Sequence, residues 1–280
     1  MLNRLDHFLL NPPLLPQLSG WRRGVIEFLF FGLKEARSCL FAGLFFSMVL
    51  LVPRSDLFGW HRYDVLLAGA VLIQALMLVL KLETLDELKA VCLFHVLGFG
   101  LEVFKTSGHI ASWSYPDAGW SKLFGVPLFA GFMYAAVGSY ILQAWYLFGL
   151  RFRHHPPYWM ATLVALLIYA NFFTHHYIMD FRGYLAMLII GLYARATVIF
   201  RPYDRERSMP LLLSFVLIGF FIWLAENIST FLHIWAYPHQ LGGWSAVHVG
   251  KWGSWSLLVI MTFTIITHLQ HHRRSVHVPE

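Results

Sequence analysis

The sequence predicts an all-α polytopic membrane protein of about eight transmembrane helices, and three observations carry the prediction. Of its 280 residues, 58% are hydrophobic and 13% charged, whereas soluble domains carry about 25% charged residues. Apolar segments approaching the roughly 20 residues needed to span a bilayer recur along the whole chain. Lys and Arg collect preferentially on alternate sides of those segments. The mean hydropathy is +0.59, and the length leaves no room for a large soluble module beside tightly packed spans.

The spans fall at about 36–53, 63–81, 88–106, 126–149, 158–179, 184–200, 209–233 and 250–270. They divide the chain into an interfacial segment 1–35, a bundle 36–272 and a tail 273–280. In the first segment, Asn11-Pro12-Pro13 and Pro16 interrupt the apolar residues before a signal-peptide core forms. Glu27, Lys34, Glu35 and Arg37 then shorten the first span, so residues 22–36 suit an amphipathic surface helix. With the N-terminus inside, 12 Lys and Arg fall in cytoplasmic segments and 6 outside, leaving Lys34, Arg37 and Arg195 unassigned among the 21. The positive-inside rule then puts both termini in the cytoplasm. Arg195 would snorkel or pair, and His268, His271 and His272 beside Arg273 and Arg274 read as a solvated helix end. Scattered between apolar runs, the +6 charge suits an anionic leaflet and calls for no nucleic acid. Cys39 and Cys92 lie inside apolar segments and carry no redox signal.

Against this background one pattern recurs. Glu102, Trp113, Tyr115, Pro116 and Trp120 are matched in order by Glu226, Trp235, Tyr237, Pro238 and Trp244. Each copy sets an acid in an apolar helix, then a Trp-x-Tyr-Pro turn, then a Trp before the next helix. An acid at the centre of a span costs about 2.5–3.5 kcal/mol on insertion scales. The third and seventh spans run in the same direction, so the copies read as parallel repeats, two four-helix halves about an axis along the membrane normal. Both turns then lie on the outer side.

Helical spacing groups further residues with the acids. His95, Gly98, Glu102 and Lys105 share one face of the third span, and Gly219, Trp223, Glu226, Thr230 and His233 one face of the seventh. The fifth span ends in Asn171, His175, His176 and Asp180 at the same depth. Glu226 and Glu102 are the candidate acid–base groups, with His175, His176, Asp180 and His233 as proton partners. Trp113, Tyr115, Trp120, Trp235, Tyr237, Trp244, Lys105 and His95 are candidates to contact a substrate. Blander accounts stand beside these: Glu102 and Lys105 as an i,i+3 ion pair, the histidines as interfacial groups, and the tryptophans as an aromatic belt. Such a belt requires no fixed order, which favours a site. His175, His176, His233, His239, His248 and Asp180 form no recognised metal-ligand spacing, so no metal is assigned and the cofactor is unknown.

The segments Glu102-Val103-Phe104-Lys105, Ser112-Trp113-Ser114-Tyr115-Pro116 and Gly125-Val126-Pro127 resemble the YoaT-like bacterial membrane proteins. That family has no known function, so the resemblance implies a polytopic fold and no activity. An acid before an aromatic loop is also similar to integral-membrane carotenoid cyclases and hydratases, by analogy only. Three functions fit: an outward-facing Glu/His/aromatic site that binds or transforms a lipophilic substrate by acid–base chemistry, a proton-coupled transporter of a small molecule, or a non-catalytic scaffold. The expected partners are the lipid bilayer and a lipophilic small molecule.

Overall fold

A computed structural model describes residues 4–13 and 20–276, with side chains through His271. The chain is mostly helical. Its helices are α1 (Arg4–Leu10), α2 (Gly20–Ser38), α3 (Leu40–Leu51), α4 (Arg62–Val79), α5 (Leu85–Thr106), α6 (Ala130–Phe148), α7 (Tyr158–Thr174), α8 (Arg182–Tyr193), α9 (Leu211–Phe231) and α10 (Gly250–Val276). Among the described residues, α4, α9 and α10 over Gly250–His271 are long and apolar enough to cross a membrane, whereas α3, α7 and α8 are apolar but shorter.

The bundle is built around α6. Fourteen of its 19 residues are buried, as befits a helix covered on all sides. Small residues permit close approach by α5, since a Cβ on Gly138 would fall inside the Phe94 ring and one on Gly98 inside the Tyr134 ring. The start of α5 is fixed by a capping box: the Glu87 N–H donates to Thr84 Oγ1 at 3.2 Å, and the Thr84 N–H donates to the Glu87 carboxylate at 2.7 Å.

Two small sheets depart from the all-helical expectation. β1 (Lys122–Leu123) and β2 (Val126–Pro127) form a hairpin before α6. β3 (Arg151–Arg153), β4 (Thr197–Phe200) and β5 (Arg207–Pro210) form an antiparallel sheet in the order β3-β4-β5. The expected span 184–200 therefore splits into the 12-residue α8 and β4. Twelve residues rise only about 18 Å, short of the roughly 30 Å hydrocarbon layer. Hydropathy alone does not separate a short helix from the β-branched run Thr197-Val198-Ile199. Arg195 lies between the two elements and is exposed, so it neither snorkels from nor pairs within a helix.

The N-terminal helices pack on this scaffold. Arg37 is buried and grips Asp6 of α1 in a bidentate pair at 2.9 and 3.0 Å, while also donating to Gln143 of α6 and the Leu82 carbonyl, both at 3.1 Å. α2 is pinned to the three-stranded sheet by Lys34 Nζ donating to the Arg201 carbonyl at 2.8 Å and by Arg207 on Glu27 at 2.5 and 2.6 Å. At the far end of the chain, Thr162 at the start of α7 bonds His268, and Tyr158 stacks on His271 at 4.6 Å. Both ends of the described chain thus lie at the sheet end of the bundle. Pro16, residues 277–280 and the side chains of His272, Arg273 and Arg274 lie outside the described residues, while the backbone of 273–276 continues α10.

Two predictions follow from these anchors. Arg37→Met should cost about 3–5 kcal/mol in unfolding experiments, because Asp6 is left charged and buried, and Asp6→Leu in the same chain should recover most of that loss. The Glu27 carboxyl is held below its ordinary value, chiefly by the hydrogen bond from Arg207. A depressed carboxylate stabilises above its unfolded value, about 4.3 for Glu, and loses that contribution as pH falls through the folded value. The protection of α2 amides, corrected for the intrinsic pH dependence of exchange, should therefore be greatest at neutral pH and fall below about pH 4, while Glu27→Gln should show modestly lower protection at neutral pH and no such fall.

Candidate functional site

Both repeated acids are buried, each 3% exposed, and each is met by aromatic donors. Glu102 accepts from Trp113 Nε1 at 2.8 Å, from Tyr115 OH at 2.9 Å and from Tyr134 OH at 2.8 Å. Glu226 accepts from Tyr237 OH at 2.5 Å and from Trp255 Nε1 at 2.8 Å. Each carboxylate thus receives the Tyr of its own turn and one donor from the helix that follows, Tyr134 on α6 or Trp255 on α10. The proline after each Tyr keeps the preceding backbone extended, which turns the chain back over the end of its helix.

The two turns also bond to each other. Ser114 and Ala236, the middle residues of the two Trp-x-Tyr sequences, exchange both backbone hydrogen bonds at 2.9 Å in an isolated antiparallel bridge. Their rings then cross: Trp113 meets Tyr237 at 6.0 Å, and Tyr115 meets Trp235 at 6.5 Å. Lys251, one residue into α10, projects its ammonium over Trp113 and Tyr237 at 4.7 Å from each ring centroid. Such a cation–π contact is worth up to about 2 kcal/mol when desolvated. Lys251 is also within electrostatic reach of both Glu226 and Glu102. The cluster therefore unites two carboxyls, one ammonium and five neutral donors.

Other candidates fall at varying distances from this centre. Lys105 does not pair with Glu102. Although both are on α5, its Nζ lies 2.7 Å from His176 Nε2 and 3.3 Å from His175 Nε2, in the turn beyond α7. Lys105 thus turns away from the acid on its own helix toward the two imidazoles. Asp180 is paired with Arg182 at 2.5 Å and accepts from Asn171 at 3.3 Å. Arg182 in turn reaches Ser254 of α10 at 2.9 Å, which links this polar group to the helix carrying Lys251. His95 packs between Phe99 and Phe132, and its Nδ1 is buried without a partner among the described residues.

Trp244 Nε1 donates to Thr230 at 3.2 Å, a turn beyond Glu226 on α9. His233 holds a left-handed backbone (φ 58°) just past α9. Trp120 is 69% exposed and packs against His61 and Trp60; its backbone N–H, rather than its ring, is held by Asp64 at 3.0 Å. It therefore stands apart from the carboxylates. Among the described residues no group of three His, Cys, Asp or Glu side chains is placed to hold a metal ion.

Three members of the cluster were not apparent from the repeat alone. Tyr134, Trp255 and Lys251 come from the helices after the turns, where no shared motif marks them. A second buried polar cluster was also missed. Glu83 accepts from Gln74 at 2.6 Å and from Ser139 of α6, beside the Arg37–Gln143 contact. It lies between two apolar segments, where nothing local marks it as buried, yet Glu83 is 4% exposed.

Fold and site together define a mostly helical protein with membrane-length helices, built over two buried carboxyls capped by aromatic donors. The chain belongs to the family described as protein of unknown function DUF817, whose family model matches residues 27–263. It is similar to the uncharacterized protein YoaT of Bacillus subtilis (strain 168), with 46% identity over 248 residues covering 89% of this chain and 93% of that protein. The resemblance seen in the segments around Glu102 and Trp113 thus extends over most of the chain. No solved structure matches.

Loss of a single donor should register in stability. Tyr134→Phe removes one of three hydrogen bonds to Glu102 and should cost about 1–3 kcal/mol in thermal or denaturant unfolding. Tyr146→Phe, at an exposed position of the same helix, should stay within about 0.5 kcal/mol of wild type. Equal effects at the two positions would show that the Glu102 network carries no special weight.

Proposed function

We propose that this is a multi-pass protein of the bacterial cytoplasmic membrane in which Glu102, Lys251 and Glu226 together hold one exchangeable proton, as the coupling site of a proton-driven small-molecule carrier. The observation that carries the proposal is the charge count. Arg182 is engaged by Asp180 and Lys105 by His175 and His176, so the two acids, each 3% exposed, are left with the single ammonium of Lys251 between them. An unpaired charge in such surroundings costs several kcal/mol, and one proton shared between the acids removes it. Gain or loss of that proton changes the hydrogen bonds of two turns that are bonded to each other, so both sides of the site respond together.

Other features support the same reading. The Ser114–Ala236 bridge and the crossed Trp–Tyr pairs suit two parallel repeats meeting at the site, and carriers place their sites between repeats. Polar residues continue inward along α6. Ser139, which bonds Glu83, lies five residues from Tyr134, about 7.5 Å along the helix. The sheet end carries Arg151, Arg153, Arg201, Arg205 and Arg207, the bias expected of a cytoplasmic face. A lipophilic substrate would need volume beside the acids. The cavity that touches Tyr134 is about 10 Å³, bounded also by Gly98, Tyr169 and Thr262, which is room for a water and suits a proton better than a lipid.

Infrared difference spectra across a pH titration of the protein in lipid test the charge count directly. Wild type should show one protonated-carboxyl band that disappears in Glu102→Gln and in Glu226→Gln, since either change balances the ammonium with a single acid. Lys251→Met should enlarge the band, because two acids then need two protons. A band unchanged in all three folded variants would rule out the shared proton. If it responds as expected, proteoliposomes under an imposed pH gradient should accumulate small molecules from a metabolite mixture, and the glutamine variants should not.

A further inference from the structure

A second site lies at the opposite, sheet-bearing end. There α2, α6, α9 and α10 diverge above the three-stranded sheet and leave a partly open crevice of about 80 Å³. Its walls are almost wholly apolar, with Phe31, Phe148, Phe200 and Phe263 among them. Three polar groups interrupt this lining: Glu35 on α2, Tyr140 on α6 and Ser214 on α9. Tyr140 OH donates to Glu35 Oε2 at 3.1 Å. Ser214 Oγ is buried and has no hydrogen-bond partner among the described residues. A buried hydroxyl without a partner carries a desolvation penalty, and native interiors retain few of them. An apolar crevice with a small convergent set of polar groups is the usual form of a small-molecule site.

Size and chemistry narrow the ligand. An engineered cavity of about 150 Å³ admits benzene, so this crevice, about half as large, takes no ring and only the polar head and first carbons of a chain. A hydroxyl matches the polar groups because it can donate to the Glu35 carboxylate and accept from Ser214 in the same pose. An alkane would leave Ser214 unpaired, and a carboxylate head would bring a second acid beside Glu35 with no Lys or Arg in the described lining to compensate it. We infer that this crevice binds the head and first carbons of a neutral long-chain alcohol, its hydroxyl held between Glu35 and Ser214 and the rest of its chain outside the crevice. The site is separate from the twin carboxylates, and its occupancy does not depend on proton exchange there.

Thermal unfolding of the full chain in lipid nanodiscs, with 1-dodecanol, dodecane or dodecanoate added, tests the inference. Dodecanol should raise the unfolding midpoint of wild type in a saturable way, and the other two should do so much less. Ser214→Ala separates a ligand site from a simple packing defect. Without additive its midpoint should rise, since an unpaired hydroxyl is gone, yet its affinity for dodecanol should fall about three- to tenfold, the worth of one hydrogen bond. Ala144→Leu, which adds bulk to the crevice wall, should abolish the response. If that variant does not fold, Ser214→Ala alone decides. Equal responses to alcohol and alkane, or a dodecanol affinity unchanged in Ser214→Ala, would overturn the proposal.

Discussion

Burying two carboxyl groups is the constraint on which the architecture of the turn end depends. Left alone in an apolar interior, an ionised acid costs several kcal/mol, so each must be supplied with donors from close by. The chain supplies them by folding each Trp-x-Tyr-Pro turn back over its own helix and adding one donor from the next helix. Trp113, Tyr115 and Tyr134 complete Glu102, and Tyr237 and Trp255 complete Glu226. The contacts between α5 and α6 and between α9 and α10 follow, because neither pair can separate without exposing an acid. Aromatic donors suit this duty since they bring apolar area together with a single directed hydrogen bond.

α6 ties the two ends of the molecule together. Its turn-end part gives Tyr134 to Glu102, its middle gives Ser139 to Glu83, and its sheet-end part gives Gln143 to Arg37. One central helix thus serves several buried polar groups at successive depths while Gly138 and its small neighbours keep α5 close. Polar groups on a helix buried all round must each find a partner, and these do. The crevice near Ser214 is the contrasting case, in which the lining is apolar and the hydroxyl has none among the described residues.

Much of this site was legible in the sequence, and the rest was hidden for identifiable reasons. The acids and both turns could be found because order and spacing are preserved between copies, and a turn with a fixed residue pattern is local. Lys251 was counted as one of several outer basic residues, since nothing local shows that its stem will carry the ammonium over Trp113 and Tyr237. Lys105 illustrates the opposite error. Its i,i+3 position favoured Glu102, but both Glu102 oxygens are taken by aromatic donors and the lysine turns to His176. Glu83 sits between two apolar segments like any loop acid, and only the backbone path from α4 to α5 carries it inward. The apolar run 184–200 was divided by tertiary pairing of β4 with β3 and β5, which hydropathy does not encode.

The bridge between Ser114 and Ala236 uses main-chain atoms alone. Its two partners already differ in side chain, one bearing a hydroxyl and the other a methyl, and the hydrogen bonds are indifferent to that difference. The hydrogen bonds that link the two turns are therefore free of side-chain identity: the exposed Ser114 can be exchanged widely, whereas Ala236, 5% exposed, is limited by the space around it and not by the bridge. Among ordinary substitutions only proline, which has no N–H to give, would remove half of the joint outright.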